Sequence, residues 1–275
     1  MEKLEHPLWV VEWVNALLGP LVAGALKPLG YDFHGGEVIP NYLVMTMLIV
    51  AAITVMSLIM RSRLSVENPS RFQIILEDAV LAVRGLLVEW IGPEGEQFLP
   101  LIFTFGIFIL LGNYAGLVPG LMAPTSSINV TLGCAITTWV YYHVQGFRKQ
   151  GVVNYIKHFM VPPGAHWSIA FIYFPIELIS HASRILSLSV RLFGNIFGEE
   201  MIILILGSII PFIVPLPMMF LGLITGGLQA FIFVLLSIIY LQAAVAVEHD
   251  AVAVEHDHDE HGHDAPAGHQ APAAA

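Results

Sequence analysis

Charge is what this chain has least of. Only 12% of its 275 residues are Asp, Glu, Lys or Arg, against the ~25% typical of soluble domains, while 56% are hydrophobic and the mean hydropathy is +0.76. So little polar material cannot cover a core of this size with a wetted surface, so lipid supplies the missing solvent and the chain is expected to be a polytopic membrane protein. Cys134 is the sole cysteine, which excludes an intrachain disulfide and a multi-cysteine metal site. No basic stripe exists for nucleic acid, because the 11 Lys and Arg are scattered or stand at the ends of apolar segments. No nucleophile, base and orienting group occur in a catalytic spacing, and no enzymatic site is expected. The net charge of −10 is itself lopsided: seven acids and no Lys or Arg follow residue 247, leaving −3 for everything before.

What is present in quantity is apolar sequence in runs of spanning length. About 20 mainly apolar residues cross a hydrocarbon core of ~30 Å. Expected spans are 39–60, 98–118, 128–147, 166–210 and 218–247. The expected fold is therefore all-α and polytopic, with about five membrane-crossing helices, the last two long and steeply tilted as a hairpin. Between the first two spans, Phe72, Ile75, Ala79, Val83, Leu86 and Trp90 recur at three- and four-residue spacing, so residues 70–91 are expected to form an amphipathic surface helix. Residues 8–26 carry Glu12, Asn15 and Pro20 among apolar neighbours, with Trp9 and Trp13 near the start, and are expected to lie in the interface. Basic residues collect between spans one and two (Arg61, Arg63, Arg71, Arg84) and between spans three and four (Arg148, Lys149, Lys157), the mark of cytoplasmic loops. This puts residues 1–38 outside, residues 39–247 in a single membrane domain, and the C-terminal tail inside.

The last two apolar stretches are too long for an upright crossing. From Ile176 to Ile210 an unbroken helix would measure ~52 Å, which fits a core of ~30 Å only at a tilt of roughly 55°. Gly194 and Gly198, and Gly222 and Gly226, have the spacing that lets helices approach closely. Into the first of these helices the sequence sets Glu177, His181, Arg184, Ser187, Arg191, Asn195, Glu199 and Glu200, and intramembrane ionisable groups are costly enough to be functional candidates. At ~100° per residue, Ser187 and Asn195 lie ~40° to either side of Arg191, Glu199 is ~80° away and Glu200 is ~180° away. Arg191 and Glu200 therefore cannot form a salt bridge on one face: the Arg is placed to meet an outside partner, and the acid to line an aqueous path within the protein. Arg184, nearer the cytoplasmic end, can snorkel. On the last helix Gln229 and Gln242 are the main polar intrusions, and Gln229 is expected to face the interior.

These residues also form recognisable motifs. Ser187-Leu-Ser-Val-Arg191-Leu-Phe-Gly-Asn195-Ile, then Glu200, then Leu228-Gln229-Ala-Phe-Ile-Phe-Val, resemble the subunit a family of F-type ATP synthases. Asn113-Tyr-Ala-Gly-Leu-Val-Pro119 and Pro124-Thr-Ser-Ser-Ile-Asn129-Val-Thr resemble that family's earlier segments, so the match extends over about 39–247. The resemblance implies a multi-pass stator subunit of the bacterial inner membrane, beside a rotating ring of c subunits and bound to peripheral-stalk b subunits and the rest of the complex. It implies no cofactor and no ATP chemistry of its own. Carried over residue by residue, it makes Arg191 the arginine facing the ring, places Asn195, Glu200 and Gln229 in an outer proton half-channel, and places Glu177 and Ser187 toward an inner one. Some members pair the acid with a histidine seven residues before the glutamine. Here that position is Gly222, so no histidine there can share a proton with Glu200.

The tail is outside the resemblance. Ala244-Val-Ala-Val-Glu-His-Asp250 repeats at once as Ala251–Asp257, followed by an acidic, Ala- and Pro-rich end. Its composition predicts a disordered, solvated cytoplasmic segment, with His256, His258, His261 and His263 as the only metal-ligand candidates. Two other function classes compete with the stator: a secondary ion transporter, expected to show internal repeats that are absent outside the tail, and a non-conducting assembly subunit, for which Arg191 and Glu200 would be dispensable.

Overall fold

The computed structural model describes residues 9–26, 38–118, 120–160, 167–209 and 215–245. Among them there is helix and no strand: α1 (Trp9–Leu26), α2 (Asn41–Arg63), α3 (Arg71–Ile91), α4 (Leu99–Ala115), α5 (Ile128–Gln150), α6 (Val152–Met160), α7 (Ala170–Ile209) and α8 (Pro215–Val245). Short 3-10 segments at Pro93–Phe98, Pro124–Ser126 and Trp167–Ile169 lead into α4, α5 and α7. The expected tail, and with it His256, His258, His261 and His263, lies outside the described residues.

Among the described residues, four segments are long and apolar enough to cross a membrane: Asn41–Arg63, Pro93–Ala115, Ala170–Ile209 and Pro215–Val245. The chain is thus an all-α polytopic membrane protein. The fifth expected crossing, 128–147, is a helix of sufficient length but not of matching apolarity. The reason is visible in its packing: Thr131, Cys134, Ala135, Thr138, Tyr142 and Gly146 make a buried stripe at helical spacing against α7 and α8. A helix whose polar face is covered by neighbours does not need an apolar circumference.

Both long helices run without interruption. α7 has 40 residues and accommodates Pro175 near its start, and by its rise it extends ~60 Å. α8 has 31 residues and opens on Pro215, with Pro217 also in the first turn, where helix N–H groups have no internal partner to lose. α8 is the central element, packing on α3, α4, α5 and α7. One apolar cluster joins Phe108, Cys134, Leu188, Leu192 and Phe233, and a second joins Leu87, Phe98, Tyr142, Val234 and Ile238. These clusters set α4, α5 and α7 around α8 and so fix which way α7 turns its polar residues.

The peripheral helices are held by local chemistry. Ser70 caps α3 by accepting from the Gln73 amide at 3.2 Å, which starts the helix where its periodicity begins. Much of the α3 stripe is uncovered within the chain: Ile75 is 65% exposed and Phe72 47%, whereas Leu87 is fully buried under α8. α1 is tied to the start of α2 by Asn15, whose amide pairs with both the C=O and the N–H of Ile39 at 3.1 and 2.9 Å. Helix α6 has no counterpart among the expected elements. It starts after Gly151, whose φ of 77° suits a residue without Cβ, and doubles back on α5 and α7.

Candidate functional site

Leu188, Leu192 and Ile196 are buried and set the inward direction of α7. On the helical wheel this direction lies ~100° from Arg191, so Arg191 and Ser187 fall outside the packed face. Both are exposed, and Arg191 has no hydrogen-bond or ion-pair partner among the described residues. Its neighbour Val190 is 48% exposed and Leu186 63%, so the guanidinium stands on an open apolar surface.

Asn195 and Gln229 are the pair of expected site residues that the fold brings into contact. The Asn195 amide donates to Gln229 Oε1 at 2.9 Å, joining α7 to α8. Gln229 is 2% exposed and its Nε2 has no partner among the described residues. A buried donor left unmade costs roughly 1–3 kcal/mol.

Glu200 is half-buried and accepts from the Ala123 amide at 2.9 Å, in the turn between α4 and α5. The carboxylate at the centre of the packed face is Glu199, ~80° from Arg191 and thus close to the inward direction. It accepts from the Thr225 hydroxyl at 3.1 Å and fills the open side of Gly222, where an added Cβ would overlap it. Gly222, Thr225, Gly226 and Gln229 stand at i, i+3, i+4 and i+7, one face of α8. Asn113 completes that face. It donates to the Gly226 carbonyl at 3.0 Å and accepts from the Thr125 hydroxyl at 2.7 Å, while the Tyr114 hydroxyl donates to the Leu223 carbonyl at 3.1 Å. The glycine expectation holds on α8 alone. A Cβ at Gly226 would lie 3.2 Å from that of Asn113, but Gly194 and Gly198 have open space beside them.

Glu177 is far from this group, 23 residues or ~35 Å before Glu200 along α7. Its Oε1 lies 3.1 Å from His181 Nε2, and the other ring nitrogen lies 2.8 Å from the Tyr142 hydroxyl. The ring of His143 is 4.9 Å from that of His181, and its Nδ1 is 2.6 Å from the Tyr155 hydroxyl on α6. Burial pushes the Tyr155 phenol up to about 12. The Arg184 guanidinium sits 5.4 Å above the Tyr240 ring, a cation-π contact at the same end. Lys149 pairs with Glu94, and Gln150 donates to the Ala244 carbonyl at 2.9 Å, so the ends of α5 and α8 and the start of α4 meet here.

The polar residues of α7 therefore occupy two separate clusters with Arg191 between them and outside both. Sequence reasoning named Glu177, Ser187, Arg191, Asn195, Glu200 and Gln229. It counted Glu199 among the ionisable candidates of α7 and Asn113 in a motif but gave neither a role, and it did not pick out Tyr142, His143 or Tyr155. The four-residue spacing of Glu177 and His181 was the available signal at one end, and the i, i+3, i+4, i+7 face of α8 was the available signal at the other. No group of three metal-ligating side chains occurs among the described residues.

A family model described as ATP synthase A chain matches residues 43–242. The chain is 41% identical over 224 residues to ATP synthase subunit a of Citrifermentans bemidjiense, covering 82% of this chain and 94% of that protein. It is 36% identical over 244 residues to ATP synthase subunit a of Geobacter sulfurreducens, covering 89% of this chain and 99% of that one. With ATP synthase subunit a of Syntrophobacter fumaroxidans it shares 46% identity over 182 residues, 66% of this chain and 74% of the relative. The match takes in α2 to α8 and both polar clusters, and the chain belongs to the ATP synthase A chain family.

Proposed function

We propose that this chain, a proton-translocating Fo subunit of that family, supplies two offset proton paths at the two ends of α7 and an arginine between them that faces a rotating ring of c subunits. The observation that carries this is Arg191: a permanent charge on the exposed apolar side of a membrane helix, without a partner among the described residues. Leaving such a charge in lipid costs several kcal/mol, and a carboxylate on a neighbouring subunit offsets that cost.

In this scheme a proton enters from the outside and reaches Glu200, with Asn195, Gln229 and trapped water in its path. Glu200 passes the proton to a ring carboxylate, which becomes neutral and turns away into lipid. On completing its circuit, the ring carboxyl releases its proton toward Ser187 and Glu177 and comes to Arg191 as an anion. The guanidinium favours that anion and does not itself deprotonate, so it also blocks a direct leak from one path to the other. ATP chemistry belongs to other subunits, peripheral-stalk b subunits hold this one still, and α5 makes the fifth crossing. The membrane is the bacterial inner membrane, with the N-terminus outside and the C-terminus in the cytoplasm, a reading that the basic residues of the loops support.

Proton flux in vesicles carrying the assembled complex tests the scheme, with the native chain compared against Arg191→Ala and Glu200→Gln. Loss of ATP-driven pumping in Arg191→Ala with passive flux kept or raised, and a smaller loss in Glu200→Gln, supports it. Undiminished coupled pumping in both variants, with assembly verified, moves the weight to a non-conducting assembly role.

A further inference from the structure

The cluster around His181 contains more titratable chemistry than Glu177 alone needs. His181 is 8% exposed and uses both ring nitrogens, one toward the Tyr142 hydroxyl at 2.8 Å and one toward the Glu177 carboxylate at 3.1 Å. The ionisable groups around it come from every helix packed there: Tyr142 and His143 from α5, Tyr155 from α6, Glu177 and Arg184 from α7, and Tyr240 from α8. Imidazole is the side chain among these whose unperturbed charge change falls near neutral pH. His181 lies 10 residues, or ~15 Å, from Arg191 along α7, at the end where basic residues gather.

We propose that His181 is the proton-exchange group of the inner path, moving protons between the Tyr142 side of its ring and Glu177. The assignment rests on the function proposed above and deepens one half of it. A neutral imidazole has one N–H and one lone pair. With the N–H at Nε2 donating to Glu177, Nδ1 accepts from the Tyr142 hydroxyl. A proton arriving at Nδ1 gives the imidazolium, and the Nε2 proton passes to Glu177 Oε1. That leaves a neutral ring protonated at Nδ1 and a protonated carboxyl. The Glu177 side chain is 24% exposed and releases the proton to water; a turn of the ring brings Nδ1 to that same water, and loss of the Nδ1 proton there with uptake of one at Nε2 restores the first tautomer. One proton enters and one leaves. His143, held by Tyr155 and in ring contact with His181, is a positioning residue that keeps the exchanging ring in place.

The test is proton flux, ATP-driven and passive, in vesicles with the assembled complex, as the pH on the Glu177 side is varied from about 5.5 to about 8.5. His181→Gln keeps hydrogen-bonding capacity and loses the ionisation. The expected result is a fall in flux of about fivefold or more, together with loss of the inflection that the native profile shows. Tyr142→Phe removes the hydroxyl at Nδ1, and a displaced inflection is expected. Native flux and profile in assembled His181→Gln overturns the proposal, and so does a uniform fall that keeps the native inflection, since that outcome marks a structural role. If His181→Gln does not assemble, Tyr142→Phe decides, and an unmoved profile there overturns the proposal. Coupled pumping that survives in Arg191→Ala sinks the underlying function instead, whereas a dead Arg191→Ala beside a native-like His181→Gln sinks only the role of His181.

Discussion

The two ends of α7 hold their carboxylates in different company. At one end Glu200 accepts from the Ala123 amide and Glu199 from the Thr225 hydroxyl, groups that do not titrate in the working range. At the other, Glu177 meets an imidazole, which is followed by a tyrosine and a second imidazole. Yet the two ends are built by the same device: a glycine whose missing Cβ admits a side chain from a neighbouring helix. Gly222 admits Glu199, and Gly146 admits the Tyr155 ring. The difference teaches that backbone geometry brings the helices equally close at both ends, and that the inserted side chain decides whether the contact is a carboxylate site or an anchor for α6.

Substitutions break this comparison in a definite order. Arg191→Ala is expected to have the largest functional effect and little structural effect: coupled pumping falls to background while the complex assembles, because the side chain has no partner to lose among the described residues. Pumping assays and quantitation of the assembled complex check both halves. Gly222→Ala and Gly146→Ala come next, each overpacking its junction at a cost of roughly 1–3 kcal/mol, and thermal stability of the solubilised complex reads it. Only Gly222→Ala is expected to slow proton entry, since the Glu199 it displaces is bonded to Thr225 on the α8 face that carries Gln229 of the outer path. Asn113→Leu leaves the Gly226 carbonyl and the Thr125 hydroxyl buried without their partner, for a loss of about 1–3 kcal/mol in the same assay.

The anchor at Tyr155 predicts a pH effect of definite sign. Its folded-state pKa of about 12 lies above the ordinary 10.0, so its stabilisation is complete below pH 10.0 and is lost as pH rises toward about 12. Proteolysis of the α5–α6 junction is therefore expected to accelerate over that interval in the native chain, and to lack that step in Tyr155→Phe. The smallest effect is expected at the exposed Arg84–Glu96 pair, whose side chains are 48% and 45% exposed. Glu96→Gln is expected to change stability by less than ~1 kcal/mol, as solvent screens such pairs.

How much of this was legible in the sequence follows from distance along the chain. The angle between Arg191 and Glu200 is set by helix geometry alone, so the placement of the arginine outside and the acid inside could be calculated in advance. Spanning length and the stripe of α3 are local and equally legible. The identity of the central carboxylate was not. Glu199 becomes central because Leu188, Leu192 and Ile196 turn α7 toward α8, and because Gly222, more than 20 residues away, leaves a gap at that height. The contact between His143 and Tyr155 likewise depends on α6 folding back after Gly151, which composition does not reveal. α5 fell short of the expected apolarity for the same reason: its polar stripe makes sense only once α7 and α8 cover it.

The central claim, that the two clusters of α7 open to opposite sides of the membrane, has a direct test because Cys134 is the sole cysteine and is buried. In a Cys134→Ala background, single Glu200→Cys and Glu177→Cys substitutions are labelled with a membrane-impermeant thiol reagent, in vesicles of each orientation. The account predicts that Glu200→Cys reacts only from the outer side and Glu177→Cys only from the cytoplasmic side. Labelling of both from one side would contradict it.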